Sequence, residues 1–155
     1  MSLYELAFLI GVIAGLRALT APAAVSWAAR LGWLHLANTG LSGVGSTGTA
    51  YVLSALALAE LINDKLPKTP SRKSPPSFAV RVLSGAFCGA AFGAQSQSLA
   101  GGLLAGALGA VVGTLGGYEA RHRLVGAIGC KDLPIALLED CIAVGGAFWI
   151  ASQFS

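Results

Sequence analysis

The sequence predicts an all-α integral membrane bundle of about five transmembrane helices, and three observations support this fold class. The chain has 155 residues, of which 55% are hydrophobic and only 11% are charged, compared with about 25% charged residues in an average soluble domain. Its mean hydropathy is +0.72. Apolar runs of about 20 residues, the length that a helix needs to cross a bilayer, recur along the chain. We expect a single transmembrane domain over residues 1–155.

Five apolar segments have the length of a spanning helix, and four of them contain charged side chains inside their limits. Charge at membrane depth is costly and therefore usually marks a functional site. The segments cover residues 3–29, 48–66, 78–95, 99–118 and 134–153. The charged residues that these segments carry away from their ends include Arg17, Glu60, Asp64, Arg81, Glu139 and Asp140. The sequence thus predicts a charged layer within the bundle.

Basic residues gather in two of the loops between these segments. Residues 67–77 contain three lysine or arginine residues, and residues 119–133 contain three more. The positive-inside rule assigns such loops to the cytoplasm, which with five spans predicts a cytoplasmic N-terminus and a C-terminus on the far side. The same topology accounts for the net charge of +3, so we expect a lipid bilayer and no nucleic acid as the partner of this chain.

Glycines at helical spacing predict a glycine-packed bundle. The chain has 21 glycines, and many recur four residues apart, which places them on one face of a helix. Small residues on such a face let membrane helices approach closely, within one subunit or, as a second use, in a homo-oligomer. The repeats are Gly11 and Gly15; Gly85, Gly89 and Gly93; Gly102 and Gly106; and Gly109, Gly113 and Gly117.

A proline lies inside the first predicted span. Pro22 removes a backbone hydrogen bond, so we expect the first helix to be kinked or broken there. An ordinary kink and a functional break, of the kind that lines a cavity in transporters, both fit the pattern.

Helix rise places the charges of several spans at a common depth. Glu60 lies about 10 Å, and Glu139 about 8 Å, from the cytoplasmic end of its span. Asp64 stacks one turn from Glu60, and Asp140 neighbours Glu139. The same layer also contains Arg81, with Glu119 and Arg121 at the cytoplasmic edge. A polar pocket of mixed charge is therefore expected in the inner half of the bundle.

Three functions fit such a layer. In the first, the charges only form ion pairs, such as Arg81 with Glu60 or Arg121 with Asp140, and the role is structural or in assembly. In the second, the layer is a transport or channel site for an ion or small polar solute. The third is an Mg²⁺-dependent enzyme acting on a lipid phosphate, with hard oxygen ligands and a phosphate-holding turn. Its ligands would be Glu60, Asp64, Glu139 and Asp140, and its cytoplasmic turn Thr69, Ser71 and Arg72.

Four segments together resemble the DUF4126 family of small multi-pass bacterial membrane proteins. They read GLRALTAPAAVSWAARLGW, ALAELINDKLPKTPSR, GAVVGTLGGYEAR and LPIALLED. The resemblance implies a compact protein of the bacterial inner membrane and no particular activity or ligand. The positions of this chain that carry it are Arg17, Glu60, Asp64, Pro67, Thr69, Pro70, Ser71, Arg72, Glu119, Arg121, Glu139 and Asp140.

Transport or conduction is the function that we expect from these patterns. Glu60 and Glu139 would handle a cation or proton, Asp64 and Asp140 would support them, and the arginines at 17 and 81 would balance their charge. Enzymatic activity and a cofactor are not expected, and metal binding by the acidic layer is left open. The identity of the solute does not follow from the sequence.

Overall fold

The computed structural model describes residues 1–66, 74–129 and 131–155, and this part of the chain forms a helical bundle. The helices are α1 (Leu3–Leu16), α2 (Thr20–Arg30), α3 (Thr47–Asn63), α4 (Pro75–Gly93), α5 (Leu99–Ile128) and α6 (Asp132–Ser152). Short 3₁₀ turns cover Ser42–Gly45 and Ala94–Ser96. The predicted cytoplasmic turn with Pro67, Thr69, Pro70, Ser71 and Arg72 lies outside the described residues.

Local sequence signals set several of the helix ends. Ser2 and Glu5 form a capping box at the start of α1, in which each side chain accepts from the other residue's backbone N–H. α4 begins with Pro75, whose fixed φ suits the first helical position. α5 ends at Ile128 and is followed by Gly129, which has a φ of 64°, a left-handed conformation that glycine adopts without a steric penalty.

Three helical segments are long and apolar enough to cross a membrane, by length and composition, which is consistent with a membrane protein. They are Pro75–Ser96, Leu99–Ile128 and Asp132–Ser152. α3 has 17 residues and α1 has 14, both shorter than the roughly 20 residues of a full span. The prediction of five spans is therefore not confirmed for the described part of the chain.

The first predicted span is a helical hairpin. The hydroxyls of Tyr4, near the start of α1, and Ser98 are hydrogen bonded at 2.8 Å. Beyond the end of α2, the backbone N–H of His35 donates to the side chain of Gln95 at 3.2 Å. Both contacts lie at the turn between α4 and α5, so α1 and α2 run in opposite directions and the chain reverses between them. The prediction that residues 3–29 form one span is wrong.

The reversal occurs at residues 17–19, before Pro22. Pro22 is the third residue of α2, where a backbone N–H has no partner within the helix in any case. Its ring therefore fits the first turn of α2 without breaking a helix. The prediction of a break at Pro22 is wrong in position, although the first predicted span is indeed interrupted.

The hairpin also changes which chain segments share an end of the bundle. One end, which we call the terminal end, contains residues 1–2, 31–46, 95–98 and 153–155. The C-terminal Phe154 ring lies there, 4.6 Å from the ring of Phe92. The opposite end, which we call the basic end, contains residues 64–66, 74, 129 and 131. The prediction that the N-terminus shares an end with the basic loops is wrong, because the hairpin returns the chain to its starting end.

Three helices pack through glycine backbones. α1 runs parallel to α5, and α4 runs antiparallel to both, with Gly106 of α5 at the centre. A Cβ at Gly106 would overlap the backbone of Gly85 and Gly89 in α4, and one at Gly11 in α1 would overlap the carbonyl of Gly106. Close backbone approach of this kind is available only to small residues. α1, α4 and α5 thus form a tight inner layer.

α2 connects the remaining helices to this layer. Trp27 of α2 donates from Nε1 to the hydroxyl of Ser54 in α3 at 2.8 Å, and its ring meets that of Tyr51 edge to face at 5.6 Å. Alanines of α2 and α6, including Ala24 and Ala147, are fully buried in the same core cluster. The reversal between α1 and α2 is consequently surrounded by α3, α4, α5 and α6.

Candidate functional site

The chain reversal at residues 17–19 leaves backbone groups that no helix satisfies, and Glu60 of α3 binds two of them. Its Oε1 accepts from the N–H of Ala18 and its Oε2 from the N–H of Leu19, both at 2.8 Å. Leu19 is the N-cap residue of α2 and has no side-chain cap of its own. A carboxylate at this position also stabilises α2, because it lies at the positive end of the helix dipole. Glu60 thus caps α2 from a distant helix.

Arg81 of α4 binds the carbonyls at the end of α1. Its Nη1 donates to the oxygens of Gly15 at 2.8 Å and Leu16 at 2.7 Å. Its Nη2 lies 4.0 Å from Oε1 of Glu60. The ion pair expected between these two residues is therefore present at the limit of the contact distance, and the bonds of Nη1 go to backbone oxygens.

Two hydroxyl groups also bind backbone oxygens near the hairpin tip, and neither residue was predicted as a site residue. Ser84 donates to the carbonyl oxygen of Ala18. Thr114 donates to the carbonyl oxygens of Gly15 at 3.2 Å and Ala110 at 2.8 Å. An isolated hydroxyl in an otherwise apolar span was the available signal, because such side chains bond across membrane helices.

Arg17 lies at the tip of the hairpin with a side chain that is fully buried. Its guanidinium contacts Asp64, which follows α3, and Asp140 of α6. Lys65 binds the other oxygen of Asp140 with an Nζ to Oδ2 distance of 2.5 Å and the Leu61 carbonyl at 2.9 Å. Lys65 was not among the residues predicted for the charged layer. Its position directly after Asp64 was the signal that it lies in the layer.

These contacts define a tip cluster with balanced charge. Among the described residues it contains three cations and three carboxylates that meet one another, so its formal net charge is zero. Their side chains are at most 25% exposed. Charges at this burial are stable only when they are paired. The members are Arg17, Lys65, Arg81, Glu60, Asp64 and Asp140.

A second charged group lies between α5 and α6. Arg121 donates from Nε to Asp132 at 2.7 Å, and its Nη1 lies 3.6 Å from Oε2 of Glu139. The predicted pair of Arg121 with Asp140 is wrong. Neighbouring residues on a helix point about 100° apart, so Glu139 faces Arg121 while Asp140 faces the hairpin tip.

Glu119 belongs to neither group. Its Oε1 accepts from Nε of Arg123 at 2.7 Å, and both side chains are exposed, with 49% and 77% of their surface accessible. Glu119 therefore lies on the surface near the basic end, away from the predicted pocket.

An open cavity of about 860 Å³ lies beside the hairpin tip, between α3 and α4. Its outer side is not covered by the described part of the chain, since the lining residues Leu56, Ile62 and Val80 are 45%, 66% and 52% exposed. Its polar wall is formed by charged and neutral polar side chains together with the tip backbone, and its other walls are apolar. The polar lining residues are Glu60, Asn63, Asp64, Ser74, Ser77 and Arg81. The apolar lining residues are Ala18, Leu19, Leu56, Ala59, Ile62, Leu66, Pro76 and Val80.

The acidic side chains are arranged as ion-pair partners. In the described part of the chain, no three histidine, cysteine, aspartate or glutamate side chains form a group that could hold a metal ion. Glu60, Asp64 and Asp140 instead face arginine, lysine or backbone N–H groups. The ligand set expected for an Mg²⁺ site is not assembled among these residues.

Comparison with known families identifies the family of this chain. The model of the family described as "Domain of unknown function (DUF4126)" matches residues 5–153, nearly the whole chain. No curated protein and no solved structure matches the sequence. The match covers α2, all of α1 except its first two residues, and every residue of the tip cluster. The chain belongs to the DUF4126 family.

Proposed function

We propose that the protein is a small membrane transporter or channel in which the α1–α2 hairpin enters the membrane from the terminal end. The chain reversal at residues 17–19, beside a cavity lined by Glu60, Asp64 and Arg81, supports this function. Non-helical backbone at membrane depth is tolerated where it is buried in protein or lines a water-filled cavity. In transporters, the ends of such broken helices bind the solute.

The positive-inside rule gives the orientation of this proposal. Lys65, Lys131 and the arginines near the end of α5 gather at the basic end, which we therefore place in the cytoplasm, with the protein in a bacterial inner membrane. In this proposal α3, whose 17 residues are at the lower limit for a span, crosses the membrane as α4, α5 and α6 do. These four crossings return the chain to the side on which it began. Both termini then lie outside, and a homo-oligomer stays a prediction.

The contacts suggest a division of roles in the tip cluster. Both oxygens of Glu60 bind backbone N–H groups, so Glu60 and Arg81 would position the hairpin tip. Asp64 and Asp140 share Arg17, and either carboxylate could release it when a solute or proton binds. Glu139 would act with Arg121 in the second charged group. The exchange step is thus assigned to the two aspartates.

Flux into proteoliposomes tests the function. Wild-type protein should accelerate uptake of at least one small solute over protein-free vesicles, and Asp64→Asn should reduce this uptake by about tenfold or more, as expected for loss of a charge-assisted contact. Glu119→Gln is the control, because it also removes one carboxylate but lies in an exposed pair with Arg123. Equal flux by Asp64→Asn and wild type, with both folded, would contradict the assignment of transport to this site.

A structural role is the second candidate, and the balanced charge of the tip cluster favours it. If the ion pairs only stabilise the fold, the vesicles should show no protein-dependent flux, and the substitution at Asp64 should change stability alone. The same preparation distinguishes the two functions.

A further inference from the structure

We propose that the solute of the α3–α4 cavity has a zwitterionic head and an apolar body. This inference rests on the proposed transport function and specifies its solute class. It is carried by the size of the cavity, the division of its lining into a polar and an apolar side, and the charge balance of the tip cluster.

The size of the cavity exceeds what an inorganic ion requires. About 860 Å³ is available between α3 and α4, which lies within the roughly 300–1,000 Å³ of pockets that bind organic molecules. An ion in this space would retain much of its water and contact few of the lining side chains. The volume therefore favours an organic solute.

The lining is divided between two kinds of surface. The open side of the cavity is lined by Leu56, Ala59 and Ile62 of α3 and by Val80 of α4, and an apolar group that leaves water to contact them gains about 25 cal/mol per Å². Glu60, Asp64 and Arg81 lie together at the wall formed by the hairpin tip. A molecule with one polar and one apolar part satisfies both surfaces at once.

The charge balance of the tip cluster determines which net charge the polar head of the solute can carry. Its three cations and three carboxylates already compensate one another within the described residues. A head with a net charge would add an uncompensated charge at low dielectric, which is costly. A zwitterionic head adds no net charge, and its anion and cation can lie near charges of opposite sign on this wall, those of Arg81 and Asp64.

A neutral polar group at the basic end of the cavity has no partner in the described structure. The Ser74 hydroxyl oxygen is buried and makes no hydrogen bond to any described residue, although Ser74 lines the cavity. Buried polar atoms are normally satisfied. A hydrogen-bonding solute or water held in the cavity would satisfy this oxygen.

Uptake of three probes with the same aromatic body tests the proposal. The probes are phenylalanine, which is zwitterionic, phenyltrimethylammonium, which is a permanent cation, and benzenesulfonate, which is a permanent anion. Proteoliposomes with wild-type protein should take up phenylalanine at least about tenfold faster than either charged probe, which corresponds to about 1.4 kcal/mol of discrimination. Protein-free vesicles give the background for each probe.

A matched pair of tryptophan substitutions tests whether phenylalanine uptake depends on this cavity. Ala59→Trp places an indole in the cavity and should abolish phenylalanine uptake. Leu83→Trp adds an indole to α4 at an outward-facing position that is 69% exposed and does not line the cavity, so uptake should match that of wild type. Loss in both variants, or in neither, would overturn the assignment to this cavity.

The outcomes separate this inference from the proposed function. Uptake of either charged probe, or of rubidium or chloride, at a rate equal to or above that of phenylalanine overturns the zwitterionic solute but leaves transport intact. Absence of protein-dependent uptake for every probe and ion contradicts the transport function itself. Selective uptake of phenylalanine that Ala59→Trp abolishes supports both.

Discussion

Glu60 accepts a hydrogen bond from the backbone N–H of Leu19 at 2.8 Å, although the two residues are 41 positions apart in the chain. The second oxygen of Glu60 binds the N–H of Ala18 at the same distance. These bonds give α2 the N-terminal cap that its own sequence lacks. The hairpin tip therefore depends on α3, and the reversal of the chain and the charged layer form a single structural unit.

Replacement of Glu60 tests this dependence. Glu60→Ala leaves the N–H groups of Ala18 and Leu19 without acceptors, and each such group costs about 1–3 kcal/mol. We expect the free energy of unfolding in detergent, measured by denaturant titration, to fall by about 2–6 kcal/mol. Glu60→Gln keeps one acceptor oxygen and should lose less.

Glu119→Ala is the control for this measurement. It removes a carboxylate from an exposed pair with Arg123, and such pairs contribute about 1 kcal/mol or less. Equal losses for Glu60→Ala and Glu119→Ala would show that Glu60 does not hold the tip.

Arg17 should behave as the central member of a buried ion network. Arg17→Met leaves Asp64 without its cation and Asp140 with Lys65 alone. Removing one partner of a buried pair costs about 3–5 kcal/mol, because a charge is then left uncompensated. We expect a loss of this size in the free energy of unfolding.

A second substitution should restore part of the stability that Arg17→Met loses. Asp64→Asn in the Arg17→Met background removes the stranded carboxylate, so the double variant should be more stable than Arg17→Met alone. A double-mutant cycle measures the coupling. A double variant whose loss equals the sum of the two single losses would contradict a direct Arg17–Asp64 interaction.

Gly106 should tolerate no side chain, because two helix interfaces meet at its backbone. A Cβ there would overlap the backbone of Gly85 and Gly89, and overpacking of this kind costs about 1–3 kcal/mol or more. Gly116→Ala in the same helix is the control, since nothing lies within 4 Å of its added Cβ and alanine is the better helix former. Thermal unfolding in detergent should rank Gly106→Ala below wild type and Gly116→Ala at or above it.

The charged layer could be predicted because helix geometry fixes depth. A rise of about 1.5 Å per residue placed Glu60, Asp64, Arg81 and Asp140 near one level, and the structure brings these four side chains to the tip of the hairpin together with Arg17. Depth says nothing about rotation around a helix axis. For this reason the partners of Glu139 and Asp140, which share a depth but point to different neighbours, were not separated.

The reversal at residues 17–19 could not be predicted from the local sequence. The stretch from Gly15 to Pro22 is nearly continuous with the apolar residues around it, and proline was the strongest local signal of a break. The actual break is stabilised by Glu60, Arg81 and Ser84, which come from other helices. A turn whose hydrogen-bond partners are distant in sequence leaves no local pattern to read.

Labelling of single cysteines tests which chain segments lie on the same side of the membrane. The hairpin determines this, because it returns the chain to its starting end. In a background with Cys88, Cys130 and Cys141 replaced by alanine, Ser2→Cys and Ser155→Cys should react alike with a membrane-impermeant maleimide added to intact cells. Lys131→Cys, at the basic end, should react only after permeabilisation. The pattern follows from the contacts of Tyr4 with Ser98 and of Phe154 with Phe92, which place both termini at the terminal end. Reaction of Ser2→Cys together with Lys131→Cys, and apart from Ser155→Cys, would mean that residues 3–29 cross the membrane as one span and that α1 and α2 do not form a hairpin.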